Sequence, residues 1–138
     1  MEEYSPIRGG TLLGNVGGPK DHLFILCCDP IYYPRLARDA VLTVNVTSWN
    51  EGKINDSACI INIGDHPFIV HKSYIFYQKA KAVSSFSLKK GVEDGYYKPQ
   101  ALLSDEIMGR IIQGFEVSAF LSDEGERFFN FLKKYGKI

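Results

Sequence analysis

Apolar and polar positions alternate most strictly in Val41 to Ser48, where Leu42, Val44 and Val46 share one face of an extended chain and Thr43, Asn45 and Thr47 the other. The pattern predicts a half-buried β-strand. His22-Leu23-Phe24-Ile25-Leu26-Cys27-Cys28 is instead a continuous apolar run ended by Asp29-Pro30, which marks a central strand. Further strands are expected over Ile7 to Leu13, Ala58 to Ile63, Phe68 to Val70, Tyr74 to Tyr77 and Ala80 to Phe86. Between them lie turn clusters rich in Gly, Asn and Asp at Asn15 to Lys20, Trp49 to Gly52, Asn55 to Ser57 and Gly64-Asp65. Ile31 to Arg38 and Gly91 to Pro99 read as connections.

After Ser104 the period changes. Ser104 is placed to cap a helix, Asp105 and Glu106 suit its positive end, and Ile107, Met108, Ile111, Ile112 and Phe115 recur at helical spacing. Ser122 opens a second helix whose apolar face is Phe128, Phe129, Phe131 and Leu132, with Lys133 and Lys134 before a stop at Gly136. Strands first and helices last predict one α+β domain over residues 1–138. Its core would be a small, strongly bent antiparallel sheet or partial barrel, with the C-terminal helices packed on it.

Composition narrows the function classes. Sixteen basic and sixteen acidic residues cancel, so nothing attracts nucleic acid globally and any such binding must come from a local patch. One candidate is the run from His71 to Lys90, which carries Lys72, Lys79, Lys81, Lys89 and Lys90 and no carboxylate; a solvated ribbon guarding strand edges is the other reading. No apolar stretch approaches the ~18 residues needed to cross a bilayer. Met1 to Pro6 has neither the basic nor the apolar part of a secretory leader, so a cytoplasmic location is expected. Cys27, Cys28 and Cys59 have no metal-type spacing and are expected to be reduced thiols. No metal or cofactor motif is apparent.

Chemistry is densest in Asp65 to Tyr77, which holds two of the three histidines together with Lys72, Ser73, Tyr74 and Tyr77. Apolar residues interleaved with these groups suggest an element with one wet face. An imidazole titrates near pH 6.5, so an exposed histidine beside lysines and hydroxyls can give or take a proton. Cleavage of RNA needs a base for the 2′-OH, an acid for the leaving 5′ oxygen and donors that steady the charged phosphorus centre. His22, Thr47, Ser48, His66, His71, Lys72 and Ser73 supply those parts. Each also has a structural reading: His66 before Pro67 as a turn residue bonded to backbone, Ser73 as a cap, Thr47 as a solvated strand position. Tyr32, Tyr33, Tyr74, Tyr77, Tyr96 and Tyr97 are candidates for stacking on unpaired bases or for half-buried packing.

The succession Gly9-Gly10-Thr11, strand His22 to Cys28, strand Val41 to Ser48 ending in Thr-Ser, the His66 to Tyr77 run, and Leu103-Ser104-Asp105-Glu106-Ile107-Met108 opening a helix resembles the MazF/PemK-type toxins of bacterial toxin–antitoxin modules. The likeness covers residues 7–121. It implies an SH3-like barrel with helices, a homodimer, metal-independent cleavage of single-stranded RNA, and an antitoxin partner lying in the active groove. Thr47 matches the threonine or serine that ends the family's second conserved strand beside the scissile phosphate. The family's arginine before its first long strand is replaced by Pro19-Lys20-Asp21-His22, where His22 or Lys20 would stand in. The expected site is therefore His22, Thr47 and His66 as catalytic groups, with Lys20, Ser48, His71, Lys72, Ser73, Tyr74 and Tyr77 on the substrate. A non-catalytic binding module that inhibits a protein target, or serves as a partner subunit, is the alternative.

Overall fold

A computed structural model describes residues 3–15 and 20–138; the central residues of the predicted Asn15 to Lys20 turn, 16–19, lie outside them. Within the described residues three α-helices pack on one antiparallel eight-stranded sheet that is not closed into a barrel. The strands are β1 Thr11–Gly14, β2 His22–Leu26, β3 Ile31–Tyr33, β4 Arg38–Ser48, β5 Ile60–Ile61, β6 Ser73–Ile75, β7 Lys81–Ser84 and β8 Tyr97–Gln100. The helices are α1 Ser85–Glu93, α2 Asp105–Val117 and α3 Asp123–Lys134. Across the sheet the order is β5-β6-β4-β2-β1-β8, with β3 and β7 also paired to β4. No helix of the described residues is long and apolar enough to cross a membrane.

The long strand β4 organises the sheet, because each of its edges is covered by an interrupted partner. On one edge, Phe24 pairs with Asn45 and, beyond the Cys27–Pro30 break, Ile31 pairs with Ala40. On the other, Ile75 pairs with Val46 and Lys81 with Thr43. The chain between Ile75 and Lys81 is longer than the β4 segment it spans and bulges into a 3-10 turn, Tyr77–Lys79. That turn drives the Tyr77 ring fully into the core, where its hydroxyl donates to the Ile111 carbonyl of α2 at 2.6 Å. Tyr77 is therefore a core residue and not the substrate contact the sequence suggested. Gly114 makes room for it, since a Cβ there would collide with the Tyr77 hydroxyl.

β4 is also not half-buried. Thr43 and Asn45, expected on a wet face, are buried along with Leu42, Val44 and Val46. Helices α1 and α3 pack against β4, and the Thr43 hydroxyl finds the Lys81 carbonyl at 3.3 Å. The core is one continuous cluster running from Leu12 and Ile25 through Val44 and Ile75 to Met108, Ile111, Phe128 and Leu132. Aromatic rings link its layers: Tyr33 stacks on Phe128 at 4.3 Å and Phe115 on Phe129 at 4.8 Å. The three cysteines are free and buried.

Both C-terminal helices begin where their caps predict, with the Ser104 hydroxyl accepting from Ile107 N–H and that of Ser122 from Gly125 N–H. α1 occupies a stretch read as strand and loop. Ser84 ends β7 and caps α1 in the same step, accepting from Ser87 N–H at 3.0 Å. Phe68 to Val70, expected as a strand, is a loop, and Gly91 to Pro99 contains the start of β8.

Candidate functional site

A cleft of about 720 Å³ opens at the end of the sheet where β2 begins and β4 finishes. Seven of the ten sequence-predicted residues line it: Lys20, His22, Thr47, Ser48, His71, Ser73 and Tyr74. Strand register explains their gathering. Thr47 pairs with Tyr74 and Ser48 with Ser73, while Phe24 opposite Asn45 brings the start of β2 beside the end of β4. Alternation then sends Thr47 and Tyr74 to one face and Ser48 and Ser73 to the other. The cleft draws on both because it wraps the strand ends.

Among the described residues two loops, over 49–55 and 67–71, wall it beside Lys20 and Asp21. The Trp49–Asn55 turn is held by Asn55, whose carbonyl oxygen accepts from Asn50 N–H at 3.0 Å while its amide donates to the Asn50 and Lys53 carbonyls at 2.8 and 3.1 Å. The loop over residues 67–71 is held by His66. That residue is 3 % exposed, its Nδ1 accepts from Phe68 N–H at 3.0 Å, and its carbonyl accepts from Ile69 N–H at 2.9 Å. Nε2 lies 2.9 Å from the Ala101 carbonyl and 3.1 Å from the Thr11 hydroxyl. With Nδ1 accepting, the ring proton sits on Nε2 and points at Ala101.

His66 is thus corrected from a catalytic group to a positioning one: both ring nitrogens are spent inside the protein, and it does not line the cleft. The structural reading, a turn residue bonded to backbone, describes it. Tyr77 is absent from the cleft for the reason given above. Lys72 lines a different depression, beside Cys59 and Arg110, but its ammonium lies over the Trp49 ring at 3.9 Å from the centroid. The lysine ribbon does not lie on one element. Lys89 and Lys90 sit on α1, bonded at 3.3 Å to Glu3 and Asp94, and Lys79 and Lys81 belong to the 3-10 turn and β7. The wet face expected of Asp65 to Tyr77 does not form either: its exposed part is the loop, whereas Ser73, Tyr74, Ile75 and Tyr77 are buried.

The sharpest chemical feature is the pair Ser48 and His71, whose Oγ and Nε2 are 2.6 Å apart with both residues exposed. The arrangement is built from the backbone outward. Trp49 N–H donates to the Lys72 carbonyl at 3.0 Å and continues the β4–β6 ladder past its last assigned pair. The Ser73 hydroxyl, itself buried, donates to the His71 carbonyl at 3.0 Å. Among the described lining residues charge is cationic, with Lys20 and Lys53 against the single carboxylate of Asp21. Trp49 stands edge-on to Tyr74 with ring centroids 5.9 Å apart, and its Nε1 is a buried donor with no partner among the described residues. Burial raises the Tyr74 phenol above its ordinary value, with the Asp56 carboxylate adding to the effect, so it stays protonated at physiological pH.

Sequence reasoning missed Trp49, Lys53, Ile54 and Val70. In the sequence Trp49 reads as the first residue of a turn. Ile54 at 84 % and Val70 at 71 % exposure are apolar lips on opposite walls; the signal for Ile54 was a large apolar side chain inside a polar turn, whereas Val70 was hidden in the apolar run Pro67-Phe68-Ile69-Val70. Among the described residues no group of three or more His, Cys, Asp and Glu side chains is spaced to hold a metal ion. Compared with protein-family models, with curated proteins and with solved structures, the chain matches none.

Proposed function

We propose that the cleft cleaves single-stranded RNA by transfer of the phosphodiester to the neighbouring 2′-OH. The observation that carries this reading is a hydroxyl-bonded imidazole, His71, in the same cleft as a second histidine, His22, with Lys20 and Lys53 on the lining. His71 takes the 2′-OH proton, the 2′ oxygen forms its bond to phosphorus, and His22 delivers a proton to the departing 5′ oxygen. The products are a 2′,3′-cyclic phosphate and a 5′-hydroxyl. The Ser48 hydroxyl, with Lys20 and Lys53 on the lining, supplies donors for the charge that builds on phosphorus, where fixed donors are most effective, and Thr47 adds a hydroxyl from the other face of the strand end. Trp49 offers an aromatic face to an unpaired base.

The likeness to MazF/PemK-type toxins carries further parts of the proposal: an SH3-like derivation of the sheet, a homodimer, an antitoxin partner and a cytoplasmic setting. The experiment is cleavage of a mixed-sequence single-stranded RNA in the presence of a chelator, beside the same strand carrying 2′-deoxyribose throughout. RNA cut to cyclic-phosphate ends, the deoxy strand left whole, and loss of at least ~100-fold in rate for His22→Ala and His71→Ala are expected. Intact RNA, or equal cutting of both strands, defeats the reading. The rival is a non-catalytic module that grips a protein segment, favoured by the exposed apolar lips Ile54 and Val70; it predicts tight peptide capture with RNA untouched.

A further inference from the structure

We propose that Ser48 is itself a nucleophile, activated by His71, and that the cleft accepts small esters with a short apolar acyl group. This goes beyond the RNA reading, in which the 2′-OH of the substrate attacks and Ser48 only donates a hydrogen bond.

A serine hydroxyl is a weak nucleophile until a neighbouring base takes its proton as the bond forms, and the signature of that arrangement is an Oγ-to-imidazole distance of about 2.6–3.2 Å. Ser48 Oγ and His71 Nε2 meet it at 2.6 Å. The pair is not a chance meeting of two loose side chains. Ser48 is the last residue of β4 and is paired with Ser73 of β6, so a residue two places before Ser73 lies diagonally across from Ser48 on the same face. The buried Ser73 hydroxyl fixes the His71 carbonyl, and Trp49 N–H to Lys72 O locks the backbone between them. Both reactive groups are exposed, so a substrate reaches them without any rearrangement.

The surroundings select the substrate. The cleft is lined by Leu23 and Val46, which share a sheet face with Ser48, and by the loop residues Ile69 and Val70, the last 71 % exposed. Such a wall suits an alkyl chain and offers an acyl group of a few carbons somewhere to lie. In the Nδ1–H tautomer His71 accepts the Ser48 proton while Oγ bonds to the ester carbonyl carbon. The tetrahedral centre collapses, the C–O bond to the alcohol breaks, and the imidazolium returns its proton to the leaving oxygen. Water, deprotonated by the same imidazole, then attacks the acyl-serine and releases the acid with the Ser48 hydroxyl restored. One ester and one water give one acid and one alcohol.

The test uses the full chain without RNA, so that its outcome is read separately from the cleavage assay. The protein is incubated with an alkyl fluorophosphonate, which transfers its phosphonyl group to an activated serine as fluoride departs, and the adduct is located by mass spectrometry of peptides. A single adduct on Ser48 is expected, absent in Ser48→Ala and slowed about 100-fold in His71→Ala, with added imidazole restoring part of the rate. Hydrolysis of p-nitrophenyl acetate and butyrate should follow the same order. Circular dichroism melts establish that both variants are folded, as their exposure leads one to expect. An unlabelled Ser48 in the folded wild type, or labelling at the same rate in His71→Ala, overturns the proposal.

Discussion

The backbone N–H of Phe68 donates to the Nδ1 of His66 at 3.0 Å, so a buried imidazole holds the loop that carries His71 to the cleft. From this relationship comes the first prediction. His66→Ala removes that acceptor, strips the Ala101 carbonyl and the Thr11 hydroxyl of a partner and leaves a void. An unsatisfied buried group costs about 1–3 kcal/mol, so the variant should melt several degrees below wild type. Any activity of the cleft should fall with it, because His71 loses its platform. His71→Ala, exposed at the surface, should instead melt with wild type. Equal melting temperatures for His66→Ala and wild type would remove His66 from the scaffold.

That contrast shows what was legible in the chain. The caps of α2 and α3 could be read because Ser104 and Ser122 bond to backbone three residues away, a purely local event. The role of His66 could not, because its partners Thr11 and Ala101 lie 55 and 35 residues distant and are set by sheet order. α1 was hidden since no Gly or Pro separates it from β7 and its buried face is only Leu88 and Gly91. β8 was hidden because Pro99 and Lys98 suit only an edge strand, which is the place it takes beside β1. His22, Thr47, Ser48 and His71 were recognisable as reactive types, but the Ser48–His71 contact follows from the β4–β6 register, which no residue in either strand announces.

Tyr77 tests the packing of the 3-10 turn against α2. Tyr77→Phe keeps the ring and deletes the 2.6 Å hydrogen bond to Ile111, a change expected to cost about 1–2 kcal/mol. Gly114→Ala should cost more, because the added Cβ meets the Tyr77 hydroxyl in a filled core. Urea unfolding of both variants measures this. Wild-type stability in Gly114→Ala would mean that the ring does not sit where the structure puts it.

The thiols give a prediction in pH. Burial pushes Cys28 up from an ordinary 9.0 to about 11, raises Cys59, and drives Cys27 well above its usual range. Thiolate is the reactive form, so native protein at pH 8 should resist a thiol-specific disulfide reagent and react fully only when denatured. The sign of the linkage follows. Below pH 9 folded and unfolded Cys28 both keep their proton and this group leaves stability unchanged. Between pH 9 and 11 the unfolded chain releases its proton first, so stability falls with rising pH until the native thiol ionises too. Rapid labelling of the native protein at pH 8 would show that these cysteines are not enclosed.

Trp49 is the only tryptophan in the chain, and it lines the cleft with Lys72 over its ring. Its fluorescence therefore reports directly on occupancy. A single-stranded RNA hexamer titrated into the protein should quench and shift the emission with saturation, since a base that stacks on the indole contributes about 1–3 kcal/mol and displaces solvent from it. Lys72→Met should alter the emission of the free protein by removing the cation, while Lys20→Ala and Lys53→Ala should leave that emission alone and weaken the titration. Because those ammonium groups act on phosphates, the weakening should diminish as salt is raised, where the wild-type affinity itself declines. A double-stranded RNA of the same length should quench little, its bases being paired and stacked on each other. Emission that stays constant to millimolar single-stranded RNA would place the ligand elsewhere and leave the cleft to a peptide or an ester.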